Sequence, residues 1–214
     1  MTSSTSSRSP WGALLQTSFF ARDALDVAPE LLGAVLVLGE VVLRVTETEA
    51  YRSGGDTANH CRAGVTARNA PMWGPPGRAY VYLCYGLHHM LNLVTGTEGV
   101  GEAVLIRSAE PLAGLPCIRA RRRGLDGPSL LTGPGKVAQA LALDRSWNGH
   151  AVTHRGGLEA SRGEPPAAIA VGPRVGVDYA SPVDRGALWR FAIADSPWVT
   201  SRRTLTRIRG SGAR

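Results

Sequence analysis

Residues Ala34–Thr48 read AVLVLGEVVLRVTET. The run is β-branched and alternating, and it is broken once, at Gly39-Glu40, which predicts a hairpin. Its second strand runs on through Arg44–Tyr51, RVTETEAY. Side chains on a strand alternate faces, so Glu47, Glu49 and Tyr51 share one face, and Thr46, Thr48 and Ala50 share the other. Two carboxylates and a tyrosine on an otherwise apolar strand are awkward to bury. Either the face is solvated, or it holds a carboxylate at a cleft as general base or electrostatic stabiliser.

Working outward, Asp23 opens an expected helix with Ala24, Leu25, Val27, Leu31 and Leu32 on one side, interrupted near Pro29. Residues 1–16 are Ser/Thr-rich at the start and read as a disordered tail. Residues 17–209 read as one domain. Downstream, residues 52–78 form a long polar stretch rich in Gly, Pro, Asn and Arg, and a loop of that length inside a domain usually has a functional reason. Residues 79–84 (AYVYLC) and 87–94 (LHHMLNLV) read as strands joined at Tyr85-Gly86, and Ala103–Arg107 as another. Arg119–Arg123 ends a helix, and Gly133–Leu143 starts one behind a Gly-Pro-Gly-Lys opening. Residues 169–177 and 188–194 read as late strands. Strands and helices mix without a βαβ rhythm, so the fold class is α+β with a mostly antiparallel sheet.

The chain has 214 residues, 43% of them hydrophobic and 19% charged, which excludes a wholly disordered chain. Its longest apolar run, Leu31–Gly39, is too short to span a bilayer. No charged segment leads into a hydrophobic one in the manner of a secretory signal. The three cysteines, Cys61, Cys84 and Cys117, are odd in number and widely spaced, which argues against a disulfide framework and for a reducing, cytoplasmic setting. Cys84 and Cys117 are expected in the core. The net charge is +7, and 23 of the 24 basic residues are arginine, Lys136 being the single lysine. Arginine forks pair with phosphate through two bonds, so nucleic acid is the leading partner class.

Tyr80 and Tyr82 share a strand face, and Tyr85 falls at the turn beside Gly86, whose backbone tolerates unusual angles. Such a tyrosine either packs on a neighbouring element or acts as a wedge entering a base stack. Aromatic faces bind bases at about 1–3 kcal/mol each, and they attract cations. His60 could line the same pocket as the acidic strand. His60, His88 and His89 lack zinc-ligand spacing, so no metal is expected. The Gly133–Lys136 segment lacks Walker spacing. It is either an ordinary helix cap or a backbone cradle with one lysine for a DNA phosphate.

These runs together, RVTETEAY, then AN-H and T-x-RN, GRAYVYLCYGLHHMLNLV, AVLIRSAEPL, GPGKVAQAL, RVGV and SPW, resemble the alkyladenine (3-methyladenine) DNA glycosylase family, in its order from about residue 18 to 205. The resemblance implies a single domain around a curved antiparallel sheet flanked by helices, like the C-terminal domain of formyltransferases. It implies that Glu49 is the general base that activates water, aided by Arg107 and by the backbone carbonyl of Val175. Tyr51 and His60 would stack on one face of a flipped purine and Tyr82 on the other, with the His60 amide reading the base edge. Asn92 would crowd the exocyclic amine of guanine, Tyr85 would fill the gap left in the duplex, and Arg68 and Lys136 would contact DNA. It implies damaged double-stranded DNA as partner, no cofactor or metal, no membrane, and a monomer.

An electron-rich pocket favours a cationic alkylated purine, which is also a good leaving group. An ionised Glu49 would orient water and offset the charge developing on the sugar. No lysine stands beside Glu49 to form a Schiff base, so a glycosylase without strand cleavage is expected. Two rivals use the same residues: a nucleic-acid binder without chemistry, and a carbohydrate hydrolase using Glu47 and Glu49. The second suffers in geometry, because carboxylates at i and i+2 stand side by side instead of facing across a substrate.

Overall fold

The computed structural model describes residues 10–208. The Gly39-Glu40 turn joins β1 (Val35–Leu38) to β2 (Val41–Tyr51) in an antiparallel hairpin. Ahead of it stand α1 (Thr17–Phe20) and α2 (Ala24–Glu30). Asp23 caps α2 by accepting from the Leu25 amide at 2.8 Å, and Pro29 sits in its last turn.

After the polar stretch come β3 (Ala79–Cys84), β4 (His88–Thr95) and β5 (Glu102–Ala113). Helices α3 (Leu115–Arg121) and α4 (Pro134–Ala140) follow, then β6 (Glu159–Ser161) and β7 (Ile169–Gly172). The chain continues through α5 (Pro182–Gly186), β8 (Arg190–Ile193) and β9 (Thr206–Ile208). Among the described residues one sheet runs β3-β4-β5-β2-β8-β7-β9, with β1 and β6 extending it beside β2. Every pairing is antiparallel.

β5 is longer than the Ala103–Arg107 expected because it follows β2 from Tyr51↔Ala103 to Val42↔Ala113. Bulges between Val45 and Glu47 and between Glu47 and Thr48 bend this central pair. The late strand expected over 169–177 stops at Gly172. Beyond it the chain leaves the sheet and carries Arg174 and Val175 back to β2.

Residues 1–9 of the expected tail lie outside the described residues. Residues 13–15 are fastened: Arg162 N–H donates to Ala13 O, Leu15 N–H donates to Ala160 O, and Leu15 is buried. Cys84 and Cys117, expected in the core, are only half-buried; Cys61 is the buried cysteine.

The alternation of the central strands creates two environments. Leu43, Val45, Ala50, Val81, Leu91, Leu93, Val104 and Ile106 face the main core with Ala24, Val27 and Ala28 of α2 and Val137 and Ala138 of α4. The alternate positions, Glu47, Glu49, Tyr80, Tyr82, Asn92 and Arg107, bring polar and aromatic groups to the opposite face. Burial of the first set drives folding, so the second set is positioned by register alone.

Candidate active site

The polar face of the sheet forms the floor of a cleft of about 750 Å³ lined by Tyr51, His60, Tyr82, Asn92, Arg107 and Val175, with Arg68 and Tyr85 at its rim. Glu49 lies directly behind this lining and is 0% exposed. Its Oε1 accepts from the Val175 amide at 2.7 Å and stands 3.2 Å from Arg107 Nη1. Its Oε2 accepts from Tyr51 Oη at 2.9 Å. The contact seen for Val175 is thus made by its N–H, on the carboxylate itself.

Glu47 is equally enclosed and more fully occupied. Oε1 accepts from Arg107 Nε and Arg190 Nη1, both at 3.2 Å, and from Thr200 Oγ1 at 2.8 Å. Oε2 accepts from Ser108 Oγ at 2.7 Å and the Thr200 amide at 2.8 Å. The acidic face is therefore buried, and the solvated alternative fails. Two arginines and a ring of neutral donors make that burial tolerable. Burial pulls the pKa of Arg107 down, but Glu49 and then Glu47 outweigh it, and the net shift is upward.

The aromatic wall comes from three elements. Tyr51 ends β2, and burial, with Glu49 adding to it, raises its phenol well above the ordinary value. Its ring has the Arg174 guanidinium 4.8 Å from the centroid, and the same guanidinium lies 4.7 Å from the Trp189 centroid. Arg174 is pinned by Asp56 through two bonds of 2.6 and 2.8 Å. Tyr80 and Tyr82 project from β3 with centroids 5.5 Å apart, and burial raises both phenols.

His60 opens a 3-10 turn, His60–Ala63, capped by Asn59, whose Oδ1 accepts from the Cys61 amide at 2.9 Å. Asn59 Nδ2 donates to Arg52 O and Gly101 O, and Asn69 Nδ2 donates to His60 O. The long polar stretch is thus stapled by its own buried amides, to itself and to Gly101 just ahead of β5. Burial, reinforced by Arg68 and Arg62, pulls the His60 imidazole down to about 4, so it is neutral at pH 7. Its Nδ1 is 3.1 Å from Tyr80 Oη, and its ring stands edge-on to Tyr82 with centroids 4.6 Å apart. The rings expected on opposite faces of a base touch each other, so admitting a base between them requires one to turn aside.

Asn92 lies opposite Leu105 in the register, and its Nδ2 donates to Tyr80 O at 3.1 Å. At the rim, Tyr85 is 92% exposed with φ 48°, followed by Gly86 at φ 70°. These two left-handed residues are the centre of a tight turn closed by the Leu87 amide, which donates to Cys84 O at 3.0 Å, and Leu87 completes a three-residue loop before the Cys84↔His88 pair. Arg68 is exposed, reaches Leu83 O at 3.4 Å and stands 5.6 Å over the Tyr82 ring. Lys136 is outside the lining, though Pro134 two residues earlier is part of it. Its amide donates to Gly133 O, so the helix opening is an ordinary cap in that respect. Gly135 packs so close to His88 that a Cβ there would come within 2.9 Å of the histidine.

Four participants escaped the sequence reading: Arg174, Asp56, Arg190 and Thr200. Arg174 opens the RVGV piece and Thr200 stands two residues past SPW, whereas Asp56, in the long polar stretch, and Arg190, on β8, carried no such local signal. The Arg62–Tyr179 pair at the rim, 5.3 Å from guanidinium to ring centroid, was also unforeseen. Among the described residues no three His, Cys, Asp or Glu side chains gather as metal ligands, and no helix is long and apolar enough to cross a membrane.

Comparison with known proteins bears on this geometry. The family model described as methylpurine-DNA glycosylase matches residues 18–197. A candidate 3-methyladenine DNA glycosylase of Nitrosococcus oceani is 62% identical over 192 residues, covering 90% of this chain and 96% of the relative. The DNA-3-methyladenine glycosylase of Arabidopsis thaliana is 56% identical over 191 residues, covering 88% and 74% respectively. A further candidate from Streptomyces avermitilis is 43% identical over 201 residues. Cleft, buried carboxylate and matched segments coincide, and the chain belongs to the methylpurine-DNA glycosylase family.

Proposed function

We propose that this DNA glycosylase, a hydrolase of N-glycosyl bonds, rotates a 3-methyladenine-type purine out of duplex DNA and releases it without cutting the strand. Deaminated purines such as hypoxanthine fall within the same reading. The observation that carries it is Glu49: a wholly enclosed carboxylate directly behind the lining of an aromatic cleft, held by Arg107, the Val175 amide and Tyr51. The target atom is unreachable inside a duplex, so flipping precedes chemistry and costs a few kcal/mol, least for a damaged pair.

Tyr51, Tyr82 and neutral His60 offer stacking faces to a cationic base, and Asn92 excludes the exocyclic amine of guanine. The amide of His60 reads the base edge. Tyr85 takes the vacated place in the stack, and Arg68 and Lys136 hold phosphates. A water held by Glu49, Arg107 and the Val175 carbonyl attacks the sugar C1′ and gives its proton to Glu49, while the glycosidic electron pair leaves with the base. The ionised carboxylate also stabilises the oxocarbenium-like transition state. Lys136 is the only lysine and stands outside the cleft, which supports hydrolysis by water over a Schiff base. The protein works as a monomer, without a cofactor, on DNA of the cytoplasm.

The test is base release from alkylated duplex DNA, with products identified by mass. Wild type releases methylated purines, and Glu49→Gln binds the same duplex but releases none. Equal release by both proteins overturns the assignment of Glu49. No release by either, with lesion binding intact, leaves a damage-binding protein in place of an enzyme.

A further inference from the structure

Glu47 and Glu49 share one arginine, and one positive charge cannot balance two carboxylates in an enclosed site. The second positive charge comes from Arg190, which is fully buried and has no access to the cleft lining. It projects from β8, where its Cα lies opposite Glu49 in the register, and it reaches back along the strand to Glu47. The result is an alternating chain of four charges, Arg190–Glu47–Arg107–Glu49, with successive N···O separations of 3.2, 3.2 and 3.2 Å. Arg107 gives its Nε to Glu47 and its Nη1 to Glu49.

We propose that Arg190 is a positioning residue for the reaction: by neutralising Glu47 from behind, it frees Arg107 to turn one guanidinium edge to Glu49. This rests on the reading of Glu49 as the base. The SPW segment, otherwise without a role, belongs to the same device. Three residues after Ser196-Pro197, Thr200 closes Glu47 with its amide at 2.8 Å and its hydroxyl at 2.8 and 2.9 Å. Arg190 in turn bonds Thr204 Oγ1 and reaches the carbonyls of Thr200 and Ser201, at 3.5 Å each. The C-terminal turn and β8 thus form a clamp on a carboxylate that never meets substrate.

A merely structural ion pair predicts lost stability and nothing more. A positioning pair predicts a particular change with pH, because the groups facing Glu49 are fixed otherwise. Those groups are Arg107 from β5, Tyr51 from β2 itself, Tyr82 from β3, and Arg174 with the Val175 amide from the segment after β7. Removing the charge of Arg190 leaves Glu47 drawing on Arg107, and ionised Glu49 loses that support. Removing the charge of Glu47 does the reverse.

The experiment is single-turnover base release from alkylated duplex DNA across pH 4–9, for wild type, Arg190→Met, Arg190→Lys, Glu47→Gln and the double variant Arg190→Met/Glu47→Gln. The acid limb of the profile moves up by a pH unit or more in Arg190→Met, and Arg190→Lys returns it most of the way. It moves down by half a unit or more in Glu47→Gln, and the charge-balanced double variant restores it to within a few tenths of a unit of wild type. If Arg190→Met does not fold, Glu47→Gln and the double variant decide. An acid limb that stays in place in every folded variant overturns the proposal, whatever happens to stability. A failure of the underlying reading looks different, since Glu49→Gln then keeps its activity.

Discussion

Beneath the floor of the cleft Glu47 and Glu49 are wholly enclosed, whereas Tyr85 at the tip of the β3–β4 hairpin is 92% exposed. The floor residues sit on the strand paired on both edges, between β5 and β8, and each charged atom has partners. The tip hangs on the three-residue loop Tyr85–Leu87, and its ring stands open to solvent. The difference separates two requirements. Charge that must be exact in position is built into the sheet, while the ring proposed to meet a deformable duplex is left free. Mutations at the floor therefore reach chemistry and stability together. Mutations at the tip should leave stability untouched and, on the proposed reading, reach recognition alone.

The sharpest way to break this comparison is Glu49→Gln, expected to lower the single-turnover rate by roughly 10²–10⁴ while duplex binding stays within a few-fold. Next comes Glu47→Ala, which strands Arg190 without its anion and should cost about 3–5 kcal/mol in urea unfolding. A stability close to wild type there would mean that the floor is solvated after all. At the tip, Tyr85→Ala should weaken capture of a flipped lesion by about 1–3 kcal/mol with no loss of stability. Equal losses for damaged and undamaged duplex would remove the wedge role.

His60 belongs to the wall between these regions. Its folded pKa of about 4 lies below the unfolded value near 6.5, so the folded state binds fewer protons in that interval. Stability is full above pH 6.5 and falls as pH drops toward 4, by about 3 kcal/mol. His60→Gln should flatten that part of the Tm–pH curve. The smallest effect is electrostatic. Arg68→Gln or Lys136→Gln should each flatten the log–log salt dependence of DNA affinity by about 0.9, and no change in slope would take that residue off the phosphate path.

The face alternation of β2, the Gly39-Glu40 turn and the Tyr85-Gly86 tip were legible because each depends on neighbours in sequence. The partners that make the acidic face habitable were not. Arg190 stands 143 residues from Glu47, and Arg174 stands 118 from Asp56. Local pattern carries no trace of such pairs, so a solvated face stayed open until they were seen. The length of β5 was hidden for a related reason, since bulges let Pro111 and its neighbours follow β2 past the point where alternation fails. Segment 173–177 reads β-branched yet serves as a tether, because Arg174 and Val175 bond to Asp56 and Glu49 instead of pairing with a neighbouring strand.

The placement of Glu49, the proposed base, on a strand flanked along its length has a kinetic meaning. Amide protons in such a strand exchange with solvent only when the whole sheet comes apart. Glu49 therefore shares its fate with the most protected part of the molecule, and a partly opened chain that still presents Tyr85 to DNA is not obliged to lose its base first. On heating, loss of turnover and loss of the native fold should occur as one event, leaving no half-armed enzyme to sit on a lesion without removing it.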